Sequence, residues 1–130
     1  MRNAECKMRA AVKENAVVDK SFEFAVRIVK LYKYLVQEHE EYVLSKQLLR
    51  CGTSIGANIA EAQRGQSKAD FTAKMSIALK EANETEYWLQ LLYRTEYITK
   101  EQFDSIIEDN RELLRMLISI CKKATAVSEK

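Results

Sequence analysis

The 130-residue chain has no proline, three glycines, one histidine and one tryptophan. So little glycine and no proline argues against a turn-rich β fold and favours long helices. No apolar run approaches the ~18 residues of a membrane span. The stretch Met1 to Lys20 holds no uninterrupted apolar segment of the kind a secretory leader needs. Cys6, Cys51 and Cys121 are odd in number and share no metal or redox spacing. They read as reduced thiols, which predicts a cytoplasmic protein without a membrane role. The single histidine, His39, lies between Glu38 and Glu40 in a polar link, where it reads as solvated. No Glu-x-x-His pair exists to build a di-metal carboxylate centre. No Ser/His/Asp set offers a nucleophile with a base, and no strand precedes a glycine-rich phosphate loop. The expectation is therefore a protein with no catalytic residue, cofactor, metal or small-molecule substrate.

Apolar residues make up 47% and charged residues 31%, ordinary values for one globular domain with a real core. Their spacing predicts four helices within a domain at residues 17–124, at about 20–38, 45–64, 68–97 and 100–124. Residues 1–16 form an arm of undetermined structure and 125–130 a fraying tail. In helix 1, Phe22, Ala25, Val29, Tyr32 and Val36 step by three and four, with Ile28 and Leu35 widening the stripe. Ser45 is placed to cap helix 2, between Leu44 and Leu49 as a hydrophobic staple. Gly65 stands where a glycine commonly ends a helix. Ser67 caps helix 3 with Asp70 at the capping-box position, and Thr99 with Gln102 forms a capping box for helix 4. Helix 3 spans about 45 Å. Helix 4 carries a heptad of Phe103, Ile107, Asn110, Leu114, Leu117, Cys121 and Ala124. Such short connections predict an all-α, antiparallel, up-down-up-down four-helix bundle.

Two of the three glycines lie inside helix 2, in the stretch CGTSIGANIAEAQRG at 51–65. On a helical wheel Leu48, Cys51, Gly52, Ile55, Ile59 and Ala62 share one arc, with Gly56 on its shoulder. Each interior glycine costs about 1 kcal/mol relative to alanine. A backbone or bulky side chain brought close to these positions would offset that cost. Ser54, Asn58 and Glu61 lie on the other side, read as structural groups at a boundary.

Around this stretch the sequence resembles the four-helix-bundle family of 23S rRNA intervening-sequence proteins. The matching residues are Ser54, Ile55, Asn58, Ile59, Ala60 and Glu61, then Ser67 and Lys68, then Ala78, Leu79, Glu84 and Glu86. The first helix, Asp19 to Leu35, is similar as well, so the resemblance covers about residues 17–124. Gly56 stands where the family often has proline, and Ala62 where it often has glycine. A bend at Gly56 and a straight helix both remain open. The resemblance implies a bundle that assembles with itself as a homo-pentamer and has no catalytic residues. It also implies a link to nucleic acid, because relatives accompanying reverse transcriptases form basic pentameric barrels that bind nucleic acid and polymerase.

Three further expectations concern sites. On helix 3, Ile77, Trp88 and Leu91 lie away from the main apolar arc. They read as a subunit contact, or alternatively Trp88 lies over the groove between helices 3 and 4. Glu86 and Asn110 are each twelve residues from the turn at Ile98. They are expected to pair across the helix 3–4 hairpin and set its register, unless Glu86 points outward. A net charge of +2 is no strong footprint for nucleic acid, but the charge is uneven. Residues 81–112 hold three basic and nine acidic side chains, whereas residues 42–80 hold six and two. Arg50, Arg64, Lys68, Lys74, Lys122 and Lys123 would gather at one end as a basic rim for RNA or DNA phosphates, or read simply as solvated helix ends.

Overall fold

The structure, a computed structural model, describes the backbone of residues 2–128 and the side chains of residues 16–125. Four helices follow one another: α1 (Arg2–His39), α2 (Leu44–Ala62), α3 (Lys68–Arg94) and α4 (Lys100–Ser128). No strand occurs among the described residues. The contacts run α1 to α2, α2 to α3, α3 to α4 and α4 back to α1, and the diagonal pairs keep their backbones apart. The α4–α1 seam is the sparsest of the four. Contacts between neighbours run in opposite numerical order. Ile28 meets Gly52 while Ser21 meets Gly56. Arg50 meets Glu81 while Glu61 meets Lys74, and Arg111 meets Glu86 while Phe103 stacks on Tyr93.

The segment read as an arm of undetermined structure continues α1 back to Arg2. The expected tail continues α4 as far as Ser128, and Glu129 and Lys130 lie outside the described residues.

The inner face of α1 takes the edge of the expected stripe, Ile28 and Leu35, and not its centre. Phe22 is 66% exposed and Val29 is 36% exposed, whereas Val17, Phe24, Ile28 and Leu35 are buried. Helix α1 carries two apolar stripes, displaced by one residue, or 100°. The bundle buries the one containing Ser21 and Ile28, because that one fits against the glycines of α2. A Cβ added at Gly52 would lie 2.8, 2.9 and 3.0 Å from three side-chain carbons of Ile28. One added at Gly56 would lie 3.2 Å from the backbone carbonyl oxygen of Ser21. Gly52 thus admits a bulky side chain and Gly56 a neighbouring backbone. Helix α2 runs unbroken through both.

The inner face of α2 follows the expected arc. Leu48, Cys51, Gly52, Ile55, Ile59 and Ala62 are all buried in α2. Met75, Ala78, Ala82, Leu89 and Leu92 are buried in α3, joined by Thr85, whose hydroxyl donates to the carbonyl of Glu81. In α4 the core turns slightly toward Ile106 and Leu113, leaving Phe103, Leu114 and Cys121 half-buried at its edge.

The helix ends show which side chains satisfy the free backbone groups. Ser45 does not cap α2; its N–H lies already inside the first turn. Glu41 takes that role. Its carboxylate accepts from the N–H groups of Val43 (3.0 Å), Leu44 (2.8 Å) and Ser45 (2.6 Å), and the Ser45 hydroxyl donates to the Glu41 carbonyl (2.8 Å). A carboxylate there satisfies three of the four orphan donors and opposes the positive end of the helix dipole. Burial pushes the Glu41 carboxyl up, but the hydrogen bonds from Leu44, Ser45 and Val43 outweigh it and hold the group below the ordinary glutamate range.

Gly65 does not have a positive φ, so it is not the left-handed residue of a helix C-cap. It is confined by space instead, since an added Cβ would lie 3.2 Å from the Ala62 carbonyl and 3.3 Å from the Phe71 nitrogen. The left-handed residues are Glu40 and Glu96, at φ of 51° and 67°. Glu96 closes α3 two residues after its last helical residue, Arg94. The N–H of Glu96 donates to the Tyr93 carbonyl and that of Tyr97 to the Leu92 carbonyl, the two bonds of a Schellman motif. The caps of α3 and α4 match expectation. Ser67 accepts from the N–H of Asp70 at 3.1 Å. Thr99 and Gln102 each accept from the other's backbone N–H, at 3.1 and 2.8 Å.

Candidate functional site

Of the motif residues, Gly52 and Gly56 belong to the α1–α2 packing just described, and Ile55 is buried in the core. Ser54 and Asn58 bond their own helix. The Ser54 hydroxyl donates to the Arg50 carbonyl at 2.6 Å and the Asn58 amide to the Ser54 carbonyl at 2.8 Å. Glu61 forms an ion pair with Lys74 of α3 at 2.7 Å, which draws its carboxyl below the ordinary range. Glu84 accepts from Arg50 of α2 and from the Trp88 indole at 3.3 Å. The Arg50 bond, followed by that of Trp88, outweighs desolvation and holds the Glu84 carboxyl down.

This network places Trp88 on the side of α3 that faces α2, not over the α3–α4 groove. Trp88 is half-buried against the core and meets the Tyr87 ring edge-on at 5.1 Å. Ile77 is 41% exposed and Leu91 is half-buried.

Glu86 and Asn110 do not bond one another. Glu86 pairs with Arg111 at 3.1 Å, at the surface. Asn110 is fully buried, and its amide donates to the Ala82 carbonyl of α3 at 3.0 Å, one turn before Glu86. Its Oδ1 has no hydrogen-bond partner among the described residues. The level across the hairpin is as expected, but the exposed guanidinium of Arg111 is a better partner for a carboxylate than a buried amide.

The six rim cations divide. Arg50 pairs with Glu81 and Glu84, and Lys74 with Glu61, so both are engaged within the chain. Arg64, Lys68, Lys122 and Lys123 are exposed and make no ion pair among the described residues. The Cys121 side chain lies close to Ser76 of α3.

Burial pushes the thiols of Cys51 and Cys121 up, which disfavours the reactive thiolate. Among the described residues no group of three or more His, Cys, Asp or Glu side chains is close enough together to hold a metal ion. No helix among them is long and apolar enough to cross a membrane. An open groove of about 590 Å³ lies along the sparse α4–α1 seam, lined by Arg27, Lys30, Tyr34, Glu101 and Gln102 among others. Arg27 is tied across it to Asp109 and Ser105. His39 ends α1 with its ring edge-on to Tyr34 (5.2 Å) and Tyr97 (5.8 Å) and its Nε2 3.2 Å from the Tyr34 hydroxyl. It pins the end of α1 to the α3–α4 connection, a contact its polar sequence neighbours gave no sign of.

The family model for the 23S rRNA-intervening sequence protein matches residues 13–119. The chain belongs to this family. A solved member of the S23 ribosomal protein family, a protein of unknown function from Bacteroides thetaiotaomicron, is 67% identical to it. That likeness covers 85% of this chain and 98% of the other, with a TM-score of 0.83. Among curated proteins none matches. The family match includes every motif residue above, and those residues pack helices together or bond their own backbone.

The surface that sequence reasoning misplaced is the outer stripe of α1. Val18, Phe22, Ala25, Val29, Tyr32 and Val36 repeat at three- and four-residue spacing, and none is fully buried. The signal was present in the width of the pattern. One bundle helix needs one apolar stripe, and α1 has two side by side.

Proposed function

We propose that this protein is a non-enzymatic scaffold of the 23S rRNA-intervening sequence family that assembles with copies of itself. The observation that carries this reading is the uncovered stripe of α1, with Phe22 66% exposed midway along the helix. An exposed, regularly spaced apolar stripe of this kind marks an interaction surface. The reading takes the four helices as an antiparallel up-down-up-down bundle, supported by the opposed order of contacts between neighbouring helices. Five copies is the number the resemblance to the family implies, and the cytoplasm is the compartment suggested by three cysteines without metal or redox spacing. Multi-angle light scattering on the purified chain tests the reading. An assembly is expected that Phe22→Ser combined with Val29→Ser disperses while helical content is retained. A monomer at high concentration refutes it.

A second reading, binding of RNA or DNA, draws on the four exposed cations Arg64, Lys68, Lys122 and Lys123. Phosphate contacts through them would weaken steeply with salt. Absence of binding at low salt, or binding indifferent to salt, rejects that reading.

A further inference from the structure

We infer that the apolar face formed by α1 and α2 receives the α3 strip of Ile77, Trp88 and Leu91 from a second copy, head to tail, so that repetition closes a ring. This rests on the self-assembly reading above and adds which two faces meet and in what register.

The two faces are different and lie on neighbouring sides of the bundle. Lys20 and Arg27 reach α4, while Ser21 and Ile28, one residue on, meet α2. Phe22 and Val29, one residue further, therefore lie on the outer side along α2. There Ala57 and Ala60 of α2 are exposed and short, which leaves a furrow beside the stripe. On α3, Ile77, Glu84, Trp88 and Leu91 recur at helical spacing on one side. The bonds of Glu84 to Arg50 and to Trp88 set that side toward α2.

A ring whose axis runs along the helices keeps each residue at its own height, so two faces that meet must match height for height. Gly52 lies opposite Ile28 and Gly56 opposite Ser21. Arg50 lies opposite Glu81 and Glu84, and Glu61 opposite Lys74. Traced through α2, Phe22 stands near the height of Ile77, Val29 near Glu84 and Val36 near Leu91. Each series steps by seven, and the two rise together because α1 and α3 both run in opposite numerical order to α2. The ion pair of Glu84 with Arg50 spares the middle of the contact an uncompensated charge. Charge agrees at its edge. Glu81 and Glu84 share one guanidinium, and Lys33, exposed and without an ion pair among the described residues, stands one turn from the height of Glu84.

Contact between unlike faces repeats from copy to copy and closes when the turn per copy divides a circle. Neighbouring sides of a four-helix bundle stand at roughly a right angle, and the ring of five proposed above asks for about 108°, within the scatter of helix packing.

The test uses the full chain with Cys6→Ser and Cys121→Ser. Val18 and Ala73 lie at matching heights at the start of the two series, and cysteine changes the size of either only a little. With Val18→Cys and Ala73→Cys in one chain, a short bis-maleimide should link copies into a ladder that ends at the ring. Either cysteine alone should give no adduct. Ile77→Asp should raise the concentration of half-association about tenfold or more, the scale of one buried apolar side chain lost at each contact. Ile118→Asp should leave it within about threefold, because Ile118 is as exposed as Ile77 (42% and 41%) but lies on α4, outside both faces. Adducts from a single cysteine, no adduct from the pair, or equal losses from the two aspartates overturn this pairing of faces while leaving self-assembly standing. A monomer at every concentration overturns both.

Discussion

Gly52→Ala separates close packing from helix propensity. Alanine in place of an interior glycine should stabilise α2 by about 1 kcal/mol. At Gly52, however, the added methyl would lie 2.8, 2.9 and 3.0 Å from Cγ1, Cγ2 and Cδ1 of Ile28. Cγ1 and Cγ2 branch directly from Cβ, and a β-branched side chain in a helix has one strongly preferred χ1. Ile28 is fully buried, and protein interiors are packed densely enough that a turn of its side chain would meet neighbours. Relief therefore requires α1 and α2 to move apart, an overpacking cost of about 1–3 kcal/mol. With three contacts at or below 3.0 Å the upper part of that range applies. The net expectation is a loss of about 1–2 kcal/mol, or several degrees in Tm for a chain of this size. Urea unfolding followed by circular dichroism measures it, at one fixed protein concentration because assembly adds stability by mass action. Ile28→Ala alone should destabilise by about 2–5 kcal/mol through the cavity it leaves. In the Gly52→Ala background it should cost 1–2 kcal/mol less, because the new methyl occupies part of that cavity, at roughly the coupling expected for residues in contact. If Gly52→Ala raised stability by the full propensity gain, or if the two changes were additive, the close approach of Ile28 would not be what keeps glycine here.

Two further substitutions probe the polar groups at the helix ends and in the core. Glu41→Gln should destabilise by about 1–2 kcal/mol at neutral pH, the scale of a lost N-cap. Because the folded-state pKa of Glu41 is lowered, its contribution is present above the ordinary glutamate value and disappears as pH falls through the lower folded value. The gap between wild type and variant should therefore narrow in acid, and a gap constant from neutral pH to about pH 3 refutes the cap. Asn110→Leu removes a buried oxygen that has no partner and keeps the volume, so it should raise stability by about 1 kcal/mol. A loss above about 2 kcal/mol in chemical denaturation would mean that the amide's bond to the Ala82 carbonyl outweighs its orphan oxygen.

Local patterns in the chain were enough to find four helices, though not the start of α1, together with the caps of α3 and α4 and the buried arc of α2, because each depends on neighbours within a few residues. The inward placement of Gly52 and Gly56 was legible for the same reason, as was the level of Asn110 opposite the Ala82–Glu86 turn, since a short hairpin fixes register by counting. Three things needed the tertiary structure. Which of two adjacent α1 stripes is buried depends on Ile28 and Ser21 fitting the glycine surface of α2, a contact across more than twenty residues of sequence. The cap of α2 falls to Glu41 and not Ser45 because the left-handed turn at Glu40 swings a longer carboxylate back over the helix end. Arg50 and Lys74 leave the basic rim because Glu84 and Glu61 approach them from the facing helix. Periodicity tells which residues can share a face; only the neighbours that a fold brings up decide which face is covered and which charges are left free.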